Sequence, residues 1–151
     1  MSIPAPLVRI LPRAIEATAR RHPHVTFRVI DASGRVLAVS AGQPADLMMI
    51  AGTNPNTPAG TWTPTTYRDA AQMVAALPTE IRQVTSYAGV DPATGGLSLT
   101  INGTVKVRLG NAEHLDDKLA RLLGRLRAGI NGVCELDVTT AEVGTVACPA
   151  A

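Results

Sequence analysis

Few residues in this chain have the types and spacing that chemistry requires. Cys134 and His114 could form a thiol–imidazole pair, in which the imidazole activates a thiolate nucleophile. However, Cys134 alternates with Leu136 and Val138, which is the pattern of a strand residue facing the protein interior. We therefore expect Cys134 to have a structural role.

The second cysteine, Cys148, lies 14 positions after Cys134. This spacing is compatible with one small disulfide loop, with two free thiols, or with a strand residue and an unrelated tail residue. The sequence alone leaves these three alternatives open.

Metal and acid–base sites are not predicted either. His22 and His24 flank Pro23 without a third ligand nearby in sequence, and a zinc site needs at least three protein ligands. Asp116 and Asp117 are adjacent on a predicted helix, so their side chains diverge by about 100°. Phosphate-binding glycine loops and nucleophile elbows are also missing. We predict no catalytic residue, no metal and no cofactor.

Charge and hydropathy exclude two classes of partner. The chain has 14 basic and 12 acidic residues without a dense basic block, so no nucleic-acid partner is expected. No apolar run reaches the 18 or so residues of a membrane span, so this segment itself should make no membrane contact. Lys118, Arg121 and Arg125 share one helix face, which we interpret as solvated in preference to phosphate-binding.

The first half of the chain predicts strands followed by a helix. Residues 25–29 alternate apolar and polar side chains as the first arm of a hairpin, which turns at 31–34 and returns over 35–39, and 46–50 is a third strand. Residues 52–60 form a loop rich in glycine and proline. Thr66 and Asp69 resemble a helix start, Pro78 ends the helix, and its buried face is Ala70, Met73, Val74 and Leu77.

The second half predicts a hairpin, a helix and a last strand. Asn102-Gly103 has the residues of a type I′ turn between strands 97–101 and 104–109. A leucine-rich helix follows over about 112–128, with Asn111 as its cap and Gly129 just past its end. The last predicted strand is 134–139.

This order of elements predicts an α+β fold, in which two amphipathic helices pack on a curved, mainly antiparallel β-sheet. We expect a lead-in at 1–6, one domain over 7–146 and a flexible tail at 147–151.

The order of the segments resembles the C-terminal β domain of the FtsQ/DivIB cell-division proteins. Most of the likeness lies in a strand with an Asn-Gly turn at 97–103, a strand ending in Leu-Gly at 107–110, the helix, and a strand with Asp at 135–138. Segments 13–17, 29–36 and 47–52 agree in order. The likeness covers about residues 8–146.

The resemblance implies a non-catalytic docking module of the bacterial divisome, which lies outside the cytoplasmic membrane at the division site and binds FtsB and FtsL. In this family the last strand offers an open edge to a strand of the partner, which is β-strand addition. The matching positions here are Asp137, Val138, Thr139, Thr140, Ala141, Glu142 and Val143.

Two departures from the family favour an alternative. Thr140 and small residues stand where the family has aromatic residues, which anchor many interfaces. The chain as given carries neither the transmembrane helix nor the POTRA domain of the family. The alternative is a soluble adaptor that binds a different protein through the same edge.

Overall fold

The structure is a computed structural model that describes residues 10–11, 27–42, 46–52 and 57–149. Several sequence-based expectations lie outside these residues: the lead-in 1–6, the segment 13–17, His22, His24, and the first residues of the hairpin at 25–26. The middle of the loop predicted at 52–60 also lies outside them.

The N-terminal part of the described chain forms four strands: β1 (Ile10–Leu11), β2 (Phe27–Ile30), β3 (Val36–Ser40) and β4 (Met48–Ala51). The predicted hairpin is confirmed, since β2 pairs antiparallel with β3. Its turn depends on Gly34, which has a φ of 84° and donates its N–H to the Asp31 carbonyl oxygen at 2.9 Å. Glycine adopts a positive φ without the steric strain of a Cβ.

Two helices come next. The predicted helix is α1 (Thr65–Ala76), and Ala70, Met73, Val74 and Leu77 are buried as its pattern indicated, together with Tyr67, which the pattern did not include. The predicted cap is wrong, because α1 begins after Pro64 without a side-chain cap hydrogen bond. Proline suits a helix start, where the missing N–H would have no helical partner. The short α2 (Thr79–Val84) and the strand β5 (Thr85–Val90) were not predicted.

The second predicted hairpin is confirmed by β6 (Leu97–Ile101) and β7 (Val105–Gly110), which pair antiparallel. Asn102 and Gly103 have φ values of 50° and 75°, as a type I′ turn requires. The last helix, α3 (Leu115–Ala128), starts three residues later than predicted. Asn111 does not cap it, because its Oδ1 accepts the Glu113 N–H at 3.1 Å and closes a local turn before the helix.

Two strands complete the fold: β8 (Val133–Asp137) and β9 (Gly144–Ala147). The strands of the described residues form one sheet in the order β3-β2-β1-β4-β5-β6-β7-β8-β9. Five of its neighbouring pairs are antiparallel and three are parallel. The predicted α+β fold with a mainly antiparallel sheet is therefore confirmed.

The main core lies between the helices and one face of the sheet. Its largest fully buried side chains include Ile50, Met73, Ile81, Leu99, Ile101, Leu109, Leu122 and Leu136. On the other face, Lys106 and Arg108 of β7 are exposed, as the alternation in this strand predicted. The sheet ends at β3 on one side and at β9 on the other, so any open backbone edge must be sought there.

Candidate functional site

The residues predicted to bind a partner lie at the end of β8 and in its connection to β9. Asp137 is the last residue of β8, and Val138 is fully buried with its N–H donated to the Arg108 carbonyl oxygen at 3.1 Å. Residues 139–143 lead from there to β9. Only Asp137 of this stretch belongs to a strand, and β9 pairs with it along the outer side of β8, so this stretch is not the outermost strand. The open edge lies one strand further on.

The connection between β8 and β9 is held at its start by the Asp137 carboxylate. Its Oδ1 accepts the Thr139 N–H at 2.9 Å and also the Thr139 hydroxyl. The hydroxyl, followed by the N–H, lowers the pKa of Asp137 below its ordinary value of 3.8. Asp137 is therefore a carboxylate at neutral pH, in the form that these two donors require.

Two further contacts tie the connection to the body of the domain. The Arg121 guanidinium of α3 donates to the Val138 carbonyl oxygen at 2.9 Å. Val143, just before β9, is half-buried against the main core. The connection is thus fixed at both ends, while Thr140, Ala141 and Glu142 between them are exposed.

The edge strand β9 is antiparallel to β8 and contributes almost nothing to the core. Thr145 lies opposite Leu136, and Val146 lies opposite Glu135. All four residues of β9 are exposed, and Val146 has 53% of its surface in contact with solvent. Hydrophobic burial therefore does little to keep β9 on the sheet.

Successive backbone N–H groups of β9 point alternately toward β8 and away from it. The Cys148 N–H points inward and donates to the Gly132 carbonyl oxygen at 2.8 Å. Because inward and outward groups alternate along an antiparallel strand, the Val146 N–H also points toward β8, whereas the Thr145 and Ala147 N–H groups point away from it. These outward groups form the open edge.

A disulfide holds the far end of β9. Cys134 of β8 is bonded to Cys148, with their Cα atoms 4.8 Å apart, so the first of the three alternatives for these cysteines is the one observed. Cys134 occupies an irregularity of β8, where the pairing register shifts between Val133 and Glu135. A loop of this length stabilises a fold by about 3 kcal/mol. β9 ends at Ala147, one residue after the domain boundary predicted at 146.

A shallow groove lies beside the edge on the face opposite the helices. It has a volume of about 340 Å³. Its floor includes the ion pair of Arg108 with Glu135, whose charged atoms are 3.6 Å apart. Gly144 leaves the groove open, since a Cβ added there would come no closer than 3.5 Å to the Asp137 Cβ. Side chains of an added strand would therefore meet a polar surface that has room for them.

Comparison with known proteins identifies the family. The family model for the C-terminal domain of the cell division protein FtsQ/DivIB matches residues 19–137, which is most of the chain. The chain belongs to the FtsQ/DivIB family. Its role is in cell division, together with the protein partners of the divisome. No curated protein matches the chain.

The match ends at Asp137, so β9 and Cys148 of this FtsQ/DivIB domain lie beyond the matched residues. The family consists of membrane-associated proteins of the division site. None of the helices in the described part of this member has the length and hydropathy of a membrane span.

The candidate chemistry of the sequence is not assembled in the described part of the FtsQ/DivIB domain. Cys134 is in the disulfide, so it offers no thiol to His114. Over the described ranges, no three side chains of the metal-ligating types come together.

The basic face predicted on α3 is not a solvated stripe. Lys118 is only 4% exposed, and its ammonium donates to the carbonyl oxygen and the side chain of Asn111 at 2.8 and 3.0 Å. Burial lowers the pKa of Lys118. Arg121 binds the β8–β9 connection, and Arg125 donates to the Gly129 carbonyl oxygen at 3.2 Å. These cations are used within the domain.

The strand β9, which is the decisive element of the site, was not predicted from the sequence. Its four residues, Gly-Thr-Val-Ala, form too short a run to show a period of two. The available signal was the cysteine spacing, because a bond from Cys148 back to a predicted strand requires the chain to return alongside it.

Proposed function

We propose that this FtsQ/DivIB domain is a non-catalytic docking module, which binds FtsB- and FtsL-type divisome proteins by β-strand addition to β9. The observation that supports it most is the outward-facing backbone of Thr145 and Ala147 on an uncharged edge strand. A partner strand would pair with these groups and extend the sheet by one strand.

The segment 137–143 retains a part in this proposal. Thr140, Ala141 and Glu142 are exposed beside the start of β9, so they lie within reach of a chain that runs on from the added strand. Asp137 faces the groove on the open face of the sheet. Val138 and Val143 act through their packing, since Val138 is fully buried and Val143 is half-buried.

The disulfide supports a location outside the cytoplasmic membrane. Structural disulfides persist in oxidising compartments and are rare in the cytosol, where thiols are kept reduced. The Cys134–Cys148 bond therefore agrees with an extracytoplasmic domain at the division site.

A proline at position 145 tests the proposal. Thr145→Pro removes one outward N–H and leaves the inward ladder to β8 intact, because an edge strand tolerates proline where the N–H faces solvent. We expect at least a tenfold loss of affinity for the extracytoplasmic segment of an FtsB-type protein, measured by biolayer interferometry.

Thr145→Val is the matched control, since it keeps the N–H and the β-branched shape and should bind like the wild type. Far-UV circular dichroism and the thermal midpoint should be unchanged in both variants. Full affinity of a folded Thr145→Pro domain would contradict docking at β9.

A second candidate is an adaptor that binds a different protein through β9. One observation favours it: the family match stops before β9, and residues 138–149 contain no aromatic anchor. The same titration separates the two candidates. The adaptor predicts that the wild-type domain binds neither FtsB- nor FtsL-type segments.

A further inference from the structure

We propose that the Cys134–Cys148 disulfide positions the docking edge, so that its reduction releases β9 and weakens partner binding while the rest of the fold persists. The part that concerns binding rests on the proposed function, and the part that concerns β9 does not.

The first support is that the described residues provide no other anchor for the far end of the strand. Val143 is the last side chain that packs on the core, and residues 144–149 are all exposed. Backbone hydrogen bonds to β8 and the disulfide are what hold this segment in the described structure. Hydrogen bonds in an exposed strand compete with water and open readily.

The second support is the position of the bond. The β8–β9 unit is closed at one end by the connection, which Asp137 and Arg121 hold. The disulfide closes the opposite end, beyond Ala147 and beside the Cys148 hydrogen bond to Gly132. Without it, β9 would fray from Cys148 back toward Val143, which is the stretch where a partner strand must pair.

The third support is access. Cys148 is exposed, whereas Cys134 is half-buried in β8, so a reductant reaches the bond from the Cys148 side. A dithiol reductant supplies two electrons and two protons. The S–S bond breaks, Cys134 and Cys148 each become thiols, and the reductant closes into its own cyclic disulfide.

Residue-resolved hydrogen exchange by NMR tests the structural part. In the oxidised domain, the inward amides of Val146 and Cys148 should be protected. After reduction, we expect their exchange to be about tenfold faster or more, with less than about a twofold change at Leu99 and Ala88 in the centre of the sheet. Unchanged protection at Val146 would overturn the proposal. Loss of protection at Leu99 as well would also overturn it, because the whole fold would then depend on the bond.

Partner binding is measured on the same samples. We expect reduced wild type and the oxidation-proof double variant Cys134→Ser/Cys148→Ser to bind an FtsB-type segment about tenfold more weakly than the oxidised wild type. Reoxidation should restore the wild type only. Adding reductant to the double variant should change nothing, which controls for effects of the reductant on the partner.

The two readouts keep the two proposals apart. Faster exchange at Val146 with no binding in either redox state supports the role of the disulfide in ordering β9 and rejects docking at this edge. Equal binding in both redox states, at an affinity that Thr145→Pro abolishes, supports docking and overturns the claim that the bond controls it.

Discussion

The two edges of the sheet are built in opposite ways. At β3, the Val36 N–H donates to the Thr61 carbonyl oxygen at 2.8 Å, and the Val36 carbonyl oxygen accepts the Gly60 N–H at 2.7 Å. A register shift in the β2–β3 pairing and the charged Arg35 disturb that edge further. The edge at β9 is uncharged, and no described segment pairs with its outer side. Charges, bulges in the edge strand and covering segments are the usual devices that prevent unwanted strand pairing. The start of β3 has a covering segment and a neighbouring charge, whereas β9 has neither among the described residues, and the irregularity in its pairing lies in the inner strand β8.

The edges also differ in what holds them to the domain. Val36, the first residue of β3, is fully buried in the main core, so the start of this edge is stabilised by hydrophobic packing. The exposed β9 is held by its backbone ladder and a covalent bond. Substitutions at Val36 and in the turn before it should therefore change stability, whereas substitutions at β9 should change the availability of the edge.

The same substitution at a glycine of each edge should show the largest contrast. Gly34 has a positive φ, and a Cβ there would lie 2.8 Å from the Arg68 Cα, so Gly34→Val must strain the turn and displace α1. We expect a loss of about 2 kcal/mol or more in the free energy of unfolding, measured in urea. Gly144→Val meets only an ordinary contact and should stay within about 0.5 kcal/mol of the wild type. Equal losses of unfolding free energy for Gly34→Val and Gly144→Val would contradict the proposed difference between the two edges.

The two edges also differ in how far the sequence predicts them. The β2–β3 and β6–β7 hairpins, α1 and α3 were predictable, because turn residues and alternating apolar positions act locally. The face of β6 and β7 was assigned correctly, since Leu99 and Val107 are fully buried and Lys106 is exposed.

The site was less predictable, since it depends on which strand is outermost. The Asp137-to-Val143 segment was predicted to be the open edge, but the outermost strand is β9, whose position is fixed by pairing with β8 and by a disulfide. The prediction of a solvated basic face on α3 was wrong for a related reason. Lys118 and Arg121 reach backbone carbonyl groups that only the folded chain brings near.

The carboxylates beside the two edges should give the next largest contrast. Asp31 accepts three hydrogen bonds from Ser33 and Arg35, whereas Asp137 accepts two from Thr139. We expect Asp31→Ala to cost about 1–2 kcal/mol at pH 7 and Asp137→Ala about 1 kcal/mol, measured by urea unfolding. A larger loss of unfolding free energy for Asp137→Ala than for Asp31→Ala would contradict the expectation that substitutions at the β3 edge affect stability more.

Acid should erase both effects. At Asp31, burial is the largest single influence and raises the pKa, but the hydrogen bonds together outweigh it, so the pKa lies below the ordinary 3.8. The pKa of Asp137 is lowered as well. A depressed pKa in the folded state stabilises the protein fully above the unfolded value, and this stability is lost as the pH falls through the folded value. The free energy of unfolding of the wild type should therefore approach that of each alanine variant as the pH falls from about 5 to the pKa that each carboxyl has in the folded state.

The smallest change in the free energy of unfolding is expected for substitutions at Trp62. These substitutions also show whether the indole helps to keep the β3 edge from pairing with other strands. The Arg35 guanidinium carbon lies 5.4 Å from the centre of the indole, which is 55% exposed. Trp62→Ala should cost about 0.5–1 kcal/mol, as an exposed cation–π contact does, and Trp62→Phe should cost less because it keeps an aromatic face. Urea unfolding measures both losses.

Sedimentation velocity then shows whether β3 has become an open edge. We expect Trp62→Ala to remain as monodisperse as the wild type, because the backbone of Thr61 and Gly60, not the indole, occupies the hydrogen-bonding groups of Val36. New self-association would show that the Trp62 side chain prevents strand pairing at the β3 edge. The openness of β9 would then follow from the lack of such a side chain, and a tryptophan placed at Thr145 should close it.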